Sequence, residues 1–189
     1  VPVLILFNKI DLLNFEEVEL VEELQAMYEN LGYQTLQVSS AEKLNLDKLQ
    51  EILKDKTCVF FGHSGAGKST LANALQPDLN LKTNEISETH NKGKHTTTFA
   101  QMHFWHFGGA VIDTPGVREF AMIDVEKEEI QHYFPEIFEK GRECKFHNCK
   151  HINEPKCAVL DALETGEILE SRYITYLKLM EEAEEQNQM

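Results

Sequence analysis

The sequence contains no apolar run that approaches the length of a membrane span. We therefore expect no helix that crosses a bilayer and no membrane partner. Basic residues are also scarce, because 18 Lys and Arg are outnumbered by 32 Asp and Glu, which leaves a formal charge of −14. This balance argues against broad nucleic-acid binding, which usually requires a basic surface, but it leaves room for a local basic patch.

Cysteine is rare, and its placement is uneven. Three of the four cysteines lie within 14 residues, at Cys144, Cys149 and Cys157, while Cys58 stands alone in an apolar stretch. Clustering of this kind indicates a metal site rather than disulfides.

The chain also lacks an initiator Met. It opens on a short apolar stretch, which is too short for a signal peptide and has no basic flank. We expect that residues upstream have been lost or removed. The apolar share of 42% and the charged share of 26% are those of a soluble globular protein. We expect a cytoplasmic monomer.

The strongest motif is Gly62-His63-Ser64-Gly65-Ala66-Gly67-Lys68-Ser69, which fits the phosphate-loop pattern G-x-x-x-x-G-K-[ST]. The apolar residues 57–61 predict a strand before it, and the residues from Thr70 onward predict a helix. Glycines let successive backbone N–H groups point at phosphate oxygens, and the helix N-terminus adds its positive end. We expect residues 62–70 to contact the nucleotide, with Lys68 on the outer phosphates and the Ser69 hydroxyl on magnesium.

A second motif, Asn8-Lys9-Ile10-Asp11, fits N-K-x-D, the pattern that reads guanine. The Asp11 carboxylate can accept from the guanine N1–H and the exocyclic amine, a pair of donors that adenine lacks. We expect Asn8 to bridge to the phosphate loop and the stem of Lys9 to lie over the base. A surface loop is the alternative, but the motif follows a strand predicted at 3–7, and ligands bind at the carboxyl ends of strands in open α/β sheets.

The segment between these motifs predicts a helix over 16–31 that ends at Gly32, a strand over 33–38 and a short helix around 46–53. Ser39 and Ser40 follow that strand and, with Ala41, resemble the S-A loop that touches the guanine carbonyl through backbone N–H groups. Taken alone, two serines at this place would indicate only a turn.

Two further elements follow the phosphate-loop helix. Residues 77–98 lose periodicity and end in K-G-K-H-T-T-T, where Thr97 could give magnesium a second hydroxyl; the alternative is an ordinary polar loop. Strands are predicted at 99–107 and 110–112, with Gly108-Gly109 as the hairpin turn between them. The second strand leads into D-x-x-G, in which Asp113 would hold magnesium through water and the Gly116 N–H would bond the γ-phosphate.

These elements occur in an unusual order, since base-reading motifs precede phosphate-reading motifs. A Ras-like GTPase runs phosphate loop, switch threonine, D-x-x-G, N-K-x-D and S-A. The sequence therefore resembles a circularly permuted GTPase and, more narrowly, the ribosome small subunit-dependent GTPase A (RsgA) family. The resemblance rests on residues 62–70, 92–98, 113–119 and 143–159, and covers essentially the whole chain.

The resemblance implies an α/β fold. A circularly permuted P-loop GTPase domain at 1–122, with a mostly parallel sheet and helices on both faces, precedes a small, mainly helical zinc-binding domain at 123–189. The family's N-terminal OB-fold domain has no counterpart here, and Ala66 stands where Val is more usual.

The implied function is GTP hydrolysis as a nucleotide switch in late maturation of the small ribosomal subunit. GTP, GDP, the subunit and its rRNA are the implied partners. Val117 stands where Ras-like enzymes have a water-orienting glutamine, so we expect slow basal turnover that the subunit stimulates. The catalytic candidates are Lys68, Thr97 and, by resemblance, His95, which is otherwise a loop histidine. A GTP-binding interaction module with little turnover is the alternative, and an ATP enzyme is disfavoured by Asp11.

The cysteine cluster reads Cys144, Cys149, His151, Cys157, with the spacing C-x4-C-x-H-x5-C. Three thiolates and one imidazole predict a closed, structural zinc site, and redox cysteines or buried thiols are the competing interpretations. His147 is an alternative ligand, but the family pattern favours His151. The basic residues around the cluster are candidates for ribosome contact or ordinary surface: Lys140, Arg142, Lys145, Lys150 and Lys156.

Overall fold

The computed structural model of this chain describes residues 1–81, 101–113 and 126–186, and at 113, 185 and 186 it describes the backbone alone. The chain divides into two compact units, Val1–Phe120 and Ala121–Met189. Four predicted functional positions, His95, Thr97, Gly116 and Val117, lie outside the described residues. Within those ranges, no helix combines the length and the apolar character that a bilayer crossing requires.

Among its described residues, the first unit contains five strands, in two hydrogen-bonded sheets. Strand β1 (Leu4–Phe7) pairs in parallel with β2 (Gln34–Gln37). Strand β3 (Thr57–Val59) pairs in parallel with β5 (Ala110–Asp113), and β4 (Gln101–Phe104) pairs antiparallel with β5. Two of the three strand pairings are therefore parallel, as expected. A single sheet was predicted. Among the described residues, the strands instead form two separate hydrogen-bonded sheets, whose side chains pack in one hydrophobic core.

In the described part of this unit, three α-helices and two short 3-10 helices, Ile10–Leu12 and Pro77–Leu79, accompany these strands. Helix α1 (Phe15–Asn30) begins at a capping box, in which the Asn14 side chain accepts from the Glu17 N–H and the Glu17 carboxylate accepts from the Asn14 N–H. Helices α2 (Leu46–Leu53) and α3 (Lys68–Leu75) contribute the buried leucines of the core. Apolar residues at helical spacing, from Val18 to Leu31, predict an apolar stripe on this segment. Helix α1 has no fully buried residue, so the described residues cover that stripe only partly.

The connection between β4 and β5 is longer than the predicted two-glycine turn. Trp105 accepts from the Gly108 N–H and donates to the Gly109 carbonyl, so the strand ends at Phe104 instead of Phe107. Gly109 has a φ of +84°, and a Cβ at this residue would lie 2.2 Å from the Lys56 carbonyl oxygen. This close backbone approach explains why a glycine stands there.

The second unit is helical, as predicted. A 3-10 helix (Lys127–Tyr133) precedes α4 (Pro135–Gly141), α5 (Ala158–Glu164) and α6 (Glu170–Gln186). Its core contains Ile130, Phe134, Ile137, Cys149, Cys157, Val159, Ala162, Ile168, Tyr173, Tyr176, Met180 and Ala183. Apolar residues at helical spacing over 130–138 predict a core position for Tyr133, but its side chain is exposed at the end of the 3-10 helix. The polar, acidic residues from Glu181 to Met189 predict a frayed end, but helix α6 continues to Gln186 and Ala183 packs in the core.

Candidate functional site

The phosphate-loop residues link β3 to α3, as the motif requires. Residues 61–66 are exposed, and α3 begins at Lys68 with Gly67 as its N-cap. The Lys68 ammonium group donates to the carbonyl oxygens of Gly62, at 2.5 Å, and His63, at 2.9 Å. The cation therefore lies within the loop, where an incoming phosphate could replace these two carbonyl acceptors.

Gly67 allows the guanine motif to approach this loop. Its φ is +91°, in the left-handed region that residues with a Cβ rarely adopt. A Cβ at Gly67 would also lie 2.4 Å from the Asn8 Nδ2 atom and 3.8 Å from the Lys9 Cε atom. Any side chain at this position would therefore displace Asn8.

Asn8 joins three segments of the first unit through its side-chain amide. Its Nδ2 group donates to the Ala66 carbonyl oxygen at 3.0 Å. Its Oδ1 atom accepts from the Ser40 hydroxyl at 2.9 Å and from the Ser40 backbone N–H at 3.2 Å. The predicted bridge from Asn8 to the phosphate loop is present, and it extends to the serine loop after β2.

Asp11 is held by the other serine of that loop. The Ser39 hydroxyl donates to Asp11 Oδ1 at 2.5 Å and accepts from the Glu42 N–H at 3.0 Å. Because Ser39 is fully buried while Asp11 is exposed, a fixed hydroxyl orients a carboxylate that faces solvent. The sequence predicted contacts from the backbone N–H groups of these serines, but no role for their hydroxyls. The signal for such a role is a hydroxyl residue directly after a strand.

The predicted magnesium ligands are only partly described. Ser69 lies in the first turn of α3 and Asp113 ends β5, which runs parallel to β3. The carboxyl ends of β3 and β5 therefore meet at the edge of the sheet from which the phosphate loop leaves. The third predicted ligand, Thr97, lies outside the described residues.

The second unit contains a compact group of ligand atoms. The side chains of Cys144, Cys149, His151 and Cys157 offer one atom each, all within 4.8 Å of one another, and the group could hold a metal ion. The His151 Nδ1 atom lies 3.6 Å from the Cys144 Sγ and 3.4 Å from the Cys157 Sγ. The two sulfurs are 3.8 Å apart, which excludes a disulfide between them. His151 is 1% exposed, whereas the alternative ligand His147 lies on the surface.

Without a bound cation, burial determines the protonation states of the cysteines and the histidine in this metal-ligand group. Removal from water is the main reason that the pKa of Cys149 rises to about 12, and burial likewise raises the pKa of Cys157. Burial lowers the pKa of His151. The imidazole is therefore neutral and ready to coordinate, while a cation would have to displace the thiol protons.

Backbone hydrogen bonds hold the loop that carries these ligands. The Glu154 carboxylate accepts from the N–H groups of Lys150 at 2.7 Å, Ile152 at 2.9 Å and Asn153 at 3.1 Å. Burial alone would raise the pKa of Glu154, but these donors outweigh it and lower the pKa. From α6, the Tyr173 hydroxyl donates to the His151 carbonyl oxygen at 2.6 Å. Neither contact was predicted, because the first depends on how the loop turns around Glu154 and the second on how α6 packs against the loop.

Comparison with known proteins agrees with the geometry. A family model described as RsgA GTPase matches residues 1–123. The chain belongs to the RsgA GTPase family. Over 98% of its length it is 48% identical to the small ribosomal subunit biogenesis GTPase RsgA of Christiangramia forsetii, and over 96% it is 51% identical to that of Flavobacterium psychrophilum.

Solved structures show the same fold. The crystal structure of YjeQ from Thermotoga maritima matches 96% of the chain with a TM-score of 0.78 and 38% identity. The structure of YloQ, a circularly permuted GTPase, matches 97% with a TM-score of 0.71 and 34% identity. The predicted fold class and the permutation are thus confirmed. The chain spans 59% and 56% of the two RsgA relatives' own lengths.

Proposed function

We propose that this chain binds GTP together with Mg²⁺, hydrolyses it, and acts as a nucleotide switch in late maturation of the small ribosomal subunit in the cytoplasm. The observation that carries the proposal is the Asn8 amide, which connects the guanine-reading loop to the carbonyl of Ala66 in the phosphate loop. A guanine base and a phosphate chain of one nucleotide need these two loops side by side. The names of the RsgA relatives support the cellular process.

Guanine is selected by Asp11. Its carboxylate accepts from two donors on the guanine edge, and the Ser39 hydroxyl fixes its orientation before the base arrives. Preorganisation of this kind lowers the entropy that binding would otherwise lose. Lys9 is exposed next to Gly67, which is compatible with a stem that covers the base.

The phosphates are bound by the loop and by Lys68. On binding, the ammonium group exchanges the carbonyls of Gly62 and His63 for phosphate oxygens, which are stronger acceptors. The Ser69 hydroxyl would hold Mg²⁺, and the Asp113 carboxylate would do so through water. The ion would supply positive charge against the charge that develops between the β- and γ-phosphates.

Turnover is slow without a partner. A water-orienting glutamine is replaced by Val117, which has no polar group to hold the attacking water. Lys68 stabilises charge on the transferred phosphoryl group, Thr97 and Gly116 sense the γ-phosphate, and His95 is the candidate for positioning water. The subunit supplies the remaining rate enhancement.

The metal in the second unit is zinc. At Zn–S and Zn–N distances of about 2.3 Å and 2.0 Å, a tetrahedral site would require sulfurs about 3.8 Å apart and sulfur-to-nitrogen distances of about 3.5 Å. The distances of 3.8 Å, 3.6 Å and 3.4 Å among Cys144, His151 and Cys157 fit this requirement, and the fourth ligand atom, from Cys149, lies within 4.8 Å of the other three. Four protein ligands leave no position for a reactive water, so this zinc stabilises the fold and takes no part in hydrolysis.

Contact with rRNA uses lysines of the metal-binding loop. Of the five basic candidates, Lys140 is paired with Glu167 at 2.8 Å and Arg142 with Glu139 at 2.8 Å. Lys145, Lys150 and Lys156 are exposed, and Lys145 lies 5.2 Å from the ring of the exposed Phe146. These three lysines are better placed to meet phosphates, because the other two are already engaged by carboxylates.

Purified small subunits test the proposal directly. GTP hydrolysis is measured with and without subunits, on this chain and on a version extended by its natural upstream residues. We expect slow hydrolysis that subunits accelerate, while Lys68→Ala abolishes it in both conditions. A chain that binds GTP but gains no rate from subunits in either version would be an interaction module instead.

The subunit contact is tested separately with Lys145→Glu/Lys150→Glu. Binding of subunits should weaken and its dependence on salt should become shallower, because fewer counterions are released. The matched control reverses the paired residues, as Lys140→Glu/Arg142→Glu. An equal loss of binding in both double variants would argue that the lysines act only through net charge.

A further inference from the structure

Ser40 makes two hydrogen bonds to the same oxygen of Asn8. The hydroxyl lies 2.9 Å from Asn8 Oδ1 and the backbone N–H lies 3.2 Å from it. The orientation of the amide is determined by its partners, since Nδ2 donates to a carbonyl and Oδ1 accepts from two donors. Ser40 thus supplies both donors to the Asn8 oxygen, and the Asn8 side chain connects the guanine-reading loop to the phosphate loop.

We propose that the Ser40 hydroxyl is a positioning group that holds Asn8 on the phosphate loop while the Ser40 backbone N–H turns to the guanine carbonyl. This inference rests on the proposed binding of guanine nucleotides. It assigns to Ser40 a role distinct from that of Ser39, which acts on Asp11.

The first support is the difference between the two serine N–H groups. Ser39 donates its backbone N–H to the Leu44 carbonyl at 3.2 Å within a small β-bridge. The N–H of Ser40 faces Asn8 instead, through the longer of its two bonds to Oδ1. A guanine carbonyl can therefore accept from the Ser40 N–H with a smaller loss of existing hydrogen bonding than from the Ser39 N–H.

The second support is burial. Ser40 is 7% exposed, so water has poor access to replace a missing donor. If residue 40 were alanine, Asn8 Oδ1 would lose its remaining donor when the backbone N–H turns to the base. A poorly hydrated polar atom without a hydrogen-bond partner is unfavourable. The hydroxyl removes this conflict, because guanine recognition no longer competes with the contact to Ala66.

Nucleotide titrations on the nucleotide-free protein test the inference, with a fluorescent GDP analogue as probe and GDP and IDP as competitors. Inosine keeps the carbonyl but lacks the exocyclic amine that Asp11 reads. We expect Ser40→Ala to weaken GDP and IDP equally, by about fivefold each, the usual size of one neutral hydrogen bond. Ser39→Ala should weaken GDP more than IDP. Ser171→Ala, an exposed serine of α6, is the matched control and should bind both as the parent does.

A double-mutant cycle with Asn8→Ala separates positioning from a general structural effect. If Ser40 acts through Asn8, Ser40→Ala should have no further effect on GDP affinity in the Asn8→Ala background. A full effect in that background, or parent-like affinity of Ser40→Ala alone, overturns the inference. Thermal unfolding without nucleotide checks that the variants fold. A parent chain that binds no GDP would overturn the proposed function as well, so the two failures are distinguishable.

Discussion

The two sites of this molecule are built in opposite ways. The nucleotide site is open, since most of its loop residues and Asp11 are exposed and its geometry depends on hydrogen bonds between three segments. The metal group is closed, since Cys149, His151 and Cys157 are buried and two of them belong to the hydrophobic core. Open construction suits a ligand that exchanges, and closed construction suits an ion that remains.

This difference explains where each site keeps its polar groups. In the first unit, small buried serines orient the functional groups, which are the exposed Asp11 and the half-buried Asn8. In the second, the ligands themselves are buried, and the surrounding carboxylate and phenol groups bond the backbone of their loop. Substitutions should therefore affect binding in the first unit and folding in the second.

The largest expected effect is the loss of the metal. Cys157→Ser should lower the zinc content well below one per chain and remove ordered structure from residues 126–186, because zinc contributes on the order of 10 kcal/mol to the folding of small zinc domains. Metal analysis and hydrogen exchange measure both. Cys58→Ser, outside the cluster, should keep the zinc. Intact GDP binding in Cys157→Ser would confirm that loss of the metal affects the second unit and not nucleotide binding by the first. Full retention of zinc would show that Cys157 is not a ligand.

The next effect concerns the base. Asp11→Asn should weaken GTP binding by roughly 100-fold or more and improve binding of xanthosine nucleotides, because the amide can donate to the added carbonyl. Competition titrations with GTP and XTP measure the change. Asp47→Asn, an exposed carboxylate in the first turn of α2, is the control and should leave both affinities unchanged. Unaltered GTP affinity in Asp11→Asn would mean that another group reads guanine.

A smaller effect is expected from Gly67→Ala. The left-handed backbone disfavours alanine by about 1 kcal/mol, and its Cβ would additionally push Asn8 from Ala66. Gly32→Ala shares the backbone penalty, with a φ of +87°, but a Cβ there meets no atom within 4 Å in the part of the chain that the structure describes. Both variants should lose stability in thermal unfolding, whereas Gly67→Ala alone should lose GDP affinity, by tenfold or more. Equal GDP affinity in the two variants would count against the Asn8 bridge.

The smallest effect tests the support of the metal loop. Tyr173→Phe removes the hydroxyl that donates to the His151 carbonyl and should destabilise the second unit by about 1 kcal/mol. Chemical denaturation of the zinc-loaded protein measures this, with the exposed Tyr133→Phe as control. GDP affinity should be unaffected in both. A Tyr173→Phe protein as stable as the control would show that zinc alone holds the loop.

Local patterns were sufficient to predict most elements. Helix α2, the strands β1, β2 and β5 and the phosphate-loop helix follow from apolar spacing and turn residues, which act over a few neighbours. Three predictions were wrong: the strand that was expected to reach Phe107 ends at Phe104, Tyr133 is exposed, and α6 continues past Glu181. The first two differences come from local hydrogen bonding, in the turn from Trp105 to Gly109 and in the 3-10 helix, whereas the burial of Ala183 in α6 depends on packing against distant segments.

The sequence by itself determined the chemistry of both sites, because residue type sets which groups can accept from guanine, bind phosphate or coordinate a soft metal. It also determined the order of the motifs, and with it the permuted topology. Only the tertiary structure decided which groups meet: Ser39 with Asp11, and Ser40 with Asn8. Asn8 and Ala66 are 58 residues apart, and a hydrogen bond over that separation depends on the path of the whole chain between them.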